Sequence, residues 1–392
     1  MSVPGLDELL SDEGWPYAST PPVEAGDPGR FHALFGRDSL ICSLQVLPER
    51  PEVARATLRA LARTQGRSKH PGTLEEPGKI GHEFRDEPPS QFVESGWPPE
   101  GPFAYYGTSD ATSWFLVLLA ALGDRALASE LEESWRAAGE WLAGALERGG
   151  GFVRCAAGSW GALSQQGWRD AIDPVSAQDH GGILRVDGTA PASPLADVDS
   201  QAAAHAGLRA LARLSGEGRW ERLAAELRER LGALGCEAMA VEPDGTIVPG
   251  AGSQLGWLLW ADALDGAARD AAVDRLCSPD VLCAHGLRTL SSDSPVFAPG
   301  HYHRGSVWPF DSWIGWGGLR AAGRVEEAER VRAGVLSALE QLGRAPELYA
   351  VSEDGAVSGV PLSNRVQAWT VGAIWALRNE WDGRAANGNG AG

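Results

Sequence analysis

A loop reading Gly167-Trp168-Arg169-Asp170-Ala171-Ile172-Asp173-Pro174 sets two carboxylates three residues apart beside an indole. A carboxyl packed against an indole is stripped of water, which disfavours its charged form and raises its pKa, the condition for a general acid at neutral pH. Asp173 has a plainer use in an Asp-Pro turn, and Asp170 has none of that kind. Nearer the start, Phe35-Gly36-Arg37-Asp38-Ser39 puts a cation and an anion side by side at the mouth of a helix, where Asp38 serves as an N-cap or as a ligand-binding group. A third stretch, from His301 and His303 through Trp308 to Asp311, offers two histidines at i and i+2. That spacing suits neither a helix face nor a zinc pattern, so polar contacts to a ligand around Trp308 fit it better than a metal. Glu347, in Pro346-Glu347-Leu348-Tyr349, is by spacing alone a solvated loop charge, and a base only if other groups gather round it.

Helices in pairs must position these residues. Asp38-Ser39 opens a run through Leu47, and Pro51 starts the next, Glu52–Gln65. Asp110 caps Ala111–Leu122, which is followed by a run with apolar residues from Leu127 to Leu146 at helical spacing. Ser200–Leu214 pairs with the run Trp220–Leu231, Gln254–Leu264 with Ala267–Leu276, and Ser312–Ala322 with Glu326–Leu342, while Val366–Leu377 opens a sixth pair. Long Gly-, Pro- and Trp-rich loops at 66–109, 149–198, 278–309 and 343–363 separate the pairs, and loops of that length in a compact domain usually carry function. Strand signals are short, at Gly151–Arg154 and Gly245–Val248. The pattern predicts an all-α (α/α)6 toroid over 31–382, an N-terminal extension over 1–30 and a disordered tail over 383–392.

The 392 residues are 43% hydrophobic with 16 Trp, and the charge balance of 34 Lys+Arg against 52 Asp+Glu gives a net −18. Such a field repels nucleic acid and anionic membranes, so a neutral or cationic ligand is expected. Five cysteines without C-x-x-C spacing read as reduced thiols, and no apolar run approaches a membrane span, which points to the cytoplasm.

Taken in order, FGRDSLI at 35–41, EEPGKIGHEFR at 75–85, YYGTSDAT at 105–112, QGWRDAIDP at 166–174 and SQLGWLLW at 253–260 resemble the amylo-α-1,6-glucosidase family. GLRTLSS at 286–292, YHRGSVWPFD at 302–311, PELY at 346–349 and QAWTVGAIWAL at 367–377 continue the likeness. This family, the glucosidase part of glycogen debranching enzymes, consists of helical-toroid glycoside hydrolases akin to glucoamylases. The resemblance implies that Arg37 and Asp38 hold the hydroxyls of the terminal sugar, that Asp170 is the general acid and that Glu347 is the base. It also implies a sugar site lined by Trp168, His303, Trp308, Asp311, Gln367 and Trp369, with Glu83, Arg85, Tyr106 and Asp110 near it. Two departures stand out: Ala171 follows Asp170 where the family usually has Ser, and Asp197-Val198-Asp199-Ser200-Gln201 replaces a common E-V-Q.

The implied reaction is hydrolysis of an α-glucosidic bond with inversion, releasing glucose from an oligosaccharide such as an α-1,6 branch stub, with no cofactor and no metal. A phosphorylase, a hydrolase of small α-glucosides and a non-catalytic oligosaccharide-binding module are the other readings that such a toroid allows.

Overall fold

Two kinds of helix appear along the chain, and their burial sorts them into two rings. In the computed structural model, which describes residues 2–21, 31–94, 96–97, 102–155, 162–171 and 181–384, thirteen α-helices are present. They are α1 (Gly36–Gln45), α2 (Pro51–Arg63), α3 (Ser90–Glu94), α4 (Ala111–Leu122), α5 (Arg125–Glu130), α6 (Glu132–Arg148) and α7 (Val198–Ser215). The rest are α8 (Gly218–Leu234), α9 (Gln254–Trp260), α10 (Gly266–Leu276), α11 (Pro309–Ala321), α12 (Val325–Leu342) and α13 (Ala368–Arg378). Asp173 and residues 385–392 lie outside the described residues, as does part of the expected N-terminal extension.

All ten residues of α1 and all seven of α9 are buried, and α4, α7, α11 and α13 are buried over most of their length. A helix buried on every side is one enclosed by others. These six pack in the cycle α1, α4, α7, α9, α11, α13 and back to α1, which closes an inner ring. By contrast α2 buries Val53, Ala54, Leu58 and Leu61 on one stripe while Arg59 and Arg63 face solvent, and α6, α8, α10 and α12 likewise bury one face each. They form the outer layer, so the fold is the expected all-α toroid.

Among the described residues no helix follows α13 to complete the sixth pair. The N-terminal segment lies there instead: Gly5 sits against Val371, and the Ala368 amide donates to the Ala18 carbonyl at 2.8 Å. Val3, Leu6 and Leu9 belong to the same core cluster as the ring.

Short strands sit in the loops ahead of the inner helices. Leu34–Phe35 (β1), Glu83–Arg85 (β2) and Phe103–Tyr105 (β3) make one antiparallel sheet, with Phe35 opposite Glu83 and Glu83 opposite Tyr105. Ala196–Asp197 (β4), Ala238–Val241 (β5) and Ile247–Pro249 (β6) make a second. Leu282–Cys283 (β7) pairs with Gly286–Leu287 (β8), and Tyr349–Val351 (β9) with Val357–Gly359 (β10). The strand expected at Gly151–Arg154 does not form. Its Val153 backbone is bonded on both sides by the Gln201 side chain, at 2.7 and 2.8 Å, so the side chain takes the place of a neighbouring strand. A Cβ at Gly36 would collide with the Gly81 carbonyl oxygen, so only glycine lets the first turn of α1 come this close to the segment entering β2.

Candidate active site

Every inner helix has polar residues in or just before its first turn, and those beginnings meet at one end of the ring. Arg37 at the start of α1 reaches Asp110 at the start of α4, and the hydroxyls of Ser109 and Ser200 stand 2.9 Å apart between α4 and α7. Arg169 bridges Asp199 on α7 and Ser253 before α9, Trp257 on α9 donates to Asp311 on α11 at 2.6 Å, and Gln367 before α13 donates to Asp38 on α1. Helix N-termini carry partial positive charge, which favours the carboxylates gathered there.

Arg37, 3% exposed, is the centre of this layer. Its Nη1 donates to Asp110 at 3.2 Å, its Nη2 donates to Asp170 at 2.8 Å, and its Nε stands 3.8 Å from Asp38. Asp38 is not the N-cap expected from the sequence. The helix starts at Gly36, two residues earlier, so Asp38 lies inside the first turn and its carboxylate points to Gln367, 3.2 Å away. Asp110 does occupy the N-cap position of α4, but its side chain makes no cap bond and instead accepts from Arg37 and the Thr108 hydroxyl. Burial pushes Asp38 up to about 7, against the opposing pull of Arg37.

Asp170 keeps a quarter of its side chain exposed, the most open of the carboxylates around Arg37. Its acidity is weakened to about 6 chiefly by burial; Arg37 opposes the rise and Asp110 adds to it. Neutral His82 stands 4.0 Å away, its protonation suppressed by burial and by neighbouring cations. The turn carrying Asp170 is held from below by Arg169, which donates to Asp199, Ser253 and the Thr289 carbonyl and lies 4.4 Å from the Trp168 ring centroid. A Cβ at Gly167 would fall 2.7 Å from the Asp197 carboxylate, so this turn also needs glycine. Trp168 is buried against Trp257, His303, Trp308 and Phe310, so the indole does its work in packing the turn.

Glu347 is 2% exposed. The Tyr302 hydroxyl donates to its Oε1 and the Asn364 amide to its Oε2 at 3.2 Å, while its own N–H donates to the Asn364 carbonyl at 3.0 Å. From there the Asn364 side chain donates to Gln367 at 2.8 Å, and Gln367 donates to Asp38. Asp170 and Glu347 are therefore the two ends of one buried chain: Asp170, Arg37, Asp38, Gln367, Asn364, Glu347.

The remaining expected residues divide. Glu83 and Arg85 pair with each other on β2, and Glu83 is pushed up to about 7 by burial, with the Asp170 charge as a lesser contribution. Trp308 stacks on His303 at 5.1 Å and packs its edge on Trp369 at 5.9 Å, and Trp369 stacks on Phe310 at 3.9 Å. Asp311, pushed up to about 7 by burial, belongs to the Arg169 layer, and the Tyr106 hydroxyl is committed to the Thr64 carbonyl at 2.7 Å. Neither bonds to the chain that joins Asp170 to Glu347. Sequence reasoning missed Arg169, His82, Tyr302 and Asn364 as parts of the site. The first three lie inside motifs already singled out, and Asn364 carries no local signal at all. Among the described residues no cluster of His, Cys, Asp or Glu could hold a metal ion, and no helix is long and apolar enough to cross a membrane.

A family model described as the mannosylglycerate hydrolase MGH1-like glycoside hydrolase domain matches residues 170–370, just over half of the chain. Among solved structures, the GH63 mannosylglycerate hydrolase from Thermus thermophilus in complex with Tris and D-glycerate superposes with a TM-score of 0.69 at 17% identity, covering 95% of this chain and 97% of that one. The same hydrolase in complex with glucose gives 0.69 at 17% identity, over 95% and 98%. A structure described as a wild-type glycosidase gives 0.58 at 15% identity, over 96% and 94%. No curated protein matches the chain in sequence.

Proposed function

Because the chain belongs to the mannosylglycerate hydrolase MGH1-like glycoside hydrolase family, we propose that it hydrolyses the α-glycosidic bond of a small glucoside with inversion, Asp170 acting as general acid and Glu347 as general base. The observation that carries this is the pair of carboxyl groups at the two ends of one buried network, in unlike surroundings. Asp170, raised to about 6 and partly open, holds a proton to give near neutral pH. Glu347 keeps both carboxylate oxygens as acceptors of fixed donors, which aims it at one point.

In the proposed step Asp170 passes its proton to the glycosidic oxygen as the bond to the anomeric carbon breaks. Water adds to that carbon from the opposite face and gives its proton to Glu347. Inverting pairs of this kind stand about 6.5–9.5 Å apart to admit the water. Arg37 and Asp38 hold the hydroxyls of the terminal sugar, whose anomeric carbon is attacked, with Trp308, Trp369 and Gln367 shaping its place.

Likeness to the debranching glucosidases in the quoted motifs favours an α-glucosidic bond, including the α-1,6 stub. The family description favours a second substrate, a glycoside of a small hydroxy acid such as mannosylglycerate. Purified enzyme without added phosphate should be offered maltose, isomaltose, panose, sucrose, mannosylglycerate and glucosylglycerate, with the released sugar followed by proton NMR. A β-anomer appearing first from an α-glycoside supports inversion. Absence of turnover on all of them, or turnover that requires phosphate, refutes hydrolysis of this class.

A further inference from the structure

Asn364 is 1% exposed and reaches both halves of the site. Its main chain pairs with Glu347 in both directions, through Asn364 N–H to Glu347 Oε2 at 3.2 Å and Glu347 N–H to the Asn364 carbonyl at 3.0 Å. Its side-chain Nδ2 donates to Gln367 Oε1 at 2.8 Å, and Gln367 Nε2 donates to Asp38 Oδ2 at 3.2 Å. A primary amide has one donor end and one acceptor end. Asp38 Oδ2 accepts from Gln367, so it takes the donor end of that amide, and Gln367 then offers its acceptor end to Asn364. The direction of both amides follows from one carboxylate.

We propose that Asn364 is a positioning residue that keeps Gln367 turned with its NH2 toward Asp38, and so ties the sugar-holding carboxylate to the segment carrying the base. This rests on the roles proposed for Glu347 and Asp38. Asn364 Oδ1 is buried without a hydrogen-bond partner among the described residues, so the side chain is not retained for its own full satisfaction. The donor at Nδ2 is what the site uses.

Asn364→Asp keeps the shape and replaces that donor with an acceptor. Gln367 then turns its NH2 to residue 364 and presents Oε1 to Asp38 Oδ2, where the parent has a donor. The expected result is a loss of roughly tenfold or more in kcat/KM, the size of one misdirected polar contact in a substrate site. In a Gln367→Ala background the same change should cost less than about twofold, because the residue it acts through is gone. Asn364→Ala, which removes the donor and leaves the main-chain bonds to Glu347, carries the same comparison if the Asp variant does not fold. Full activity of Asn364→Asp, or equal losses with and without Gln367, overturns the inference. Glu347→Gln in the same assay separates the two levels: if it is inactive while Asn364→Asp is unimpaired, only the positioning role falls, and if it is active, the assignment of the base falls.

Discussion

Arg37 and Asp170 lie 133 positions apart in the chain and 2.8 Å apart in space, and the same guanidinium reaches Asp110 at 3.2 Å. One buried cation thus keeps three carboxylates, Asp38, Asp110 and Asp170, in a single cluster. Arg37→Met removes the cation and leaves the carboxylates facing one another. Breaking a buried ion pair from one side costs about 3–5 kcal/mol, and chemical denaturation should show a loss of that order. A variant as stable as the parent would mean that the cluster is solvated.

Asp170→Asn and Glu347→Gln each remove a proton-transfer group without changing volume. A positioned acid or base contributes typically about 10²–10⁴-fold, so kcat should fall by about that much in each variant. Far-UV circular dichroism and melting should stay close to the parent for Asp170→Asn. Parent-like turnover in either variant removes that residue from the reaction.

Asp38→Asn tests the sugar-holding role directly, since the helix-cap alternative has no structural basis: the side chain lies inside the first turn of α1. Asn still accepts the Gln367 bond and relieves a carboxylate pushed up by burial, so the melting temperature should hold or rise. Activity should fall, with kcat/KM down by roughly tenfold or more because one of the two carboxyl oxygens offered to the sugar becomes an NH2. Unchanged kcat/KM would sink the role.

If Asp170 is the acid, the active form is the protonated one. With its pKa near 6, activity should decline as pH rises beyond about 6, and a profile that climbs steadily from pH 6 to 8 would contradict the assignment.

Stability should move the same way. Asp38, Glu83, Asp197 and Asp311 are each pushed up to about 7 by burial. The folded chain keeps protons that the unfolded chain has released, so their contribution is complete below the ordinary carboxylate range and is lost as pH rises through about 7. Calorimetry should give a lower melting temperature at pH 8 than at pH 5, and the reverse order would refute it.

Much of the ring was legible in the sequence because its physics is local. Ala111–Leu122 is apolar all round and ends at a glycine, so both its bounds and its enclosed position follow from the run itself. The site was legible only where a motif announced it. Arg37, Asp38, Asp170 and Gln367 meet in one network, yet no spacing says that Arg37 pairs with Asp170 or that Tyr302 donates to Glu347. Such partnerships are products of ring closure, and the cap assigned to Asp38 failed because α1 starts earlier than its first polar residue suggests.

That closure also sets a timetable for synthesis. Asp38 and Gln367 are bonded across 329 positions, and α1 packs directly on α13. On a ribosome, α1 emerges with every residue buried in the finished fold and can pack early on α2 and α4, but the side that meets α13 waits for a neighbour translated some three hundred residues later. Contacts this distant in sequence slow folding and prolong the exposure of apolar surface. A ribosome stalled before α13 would leave a polypeptide with five inner helices and an open ring.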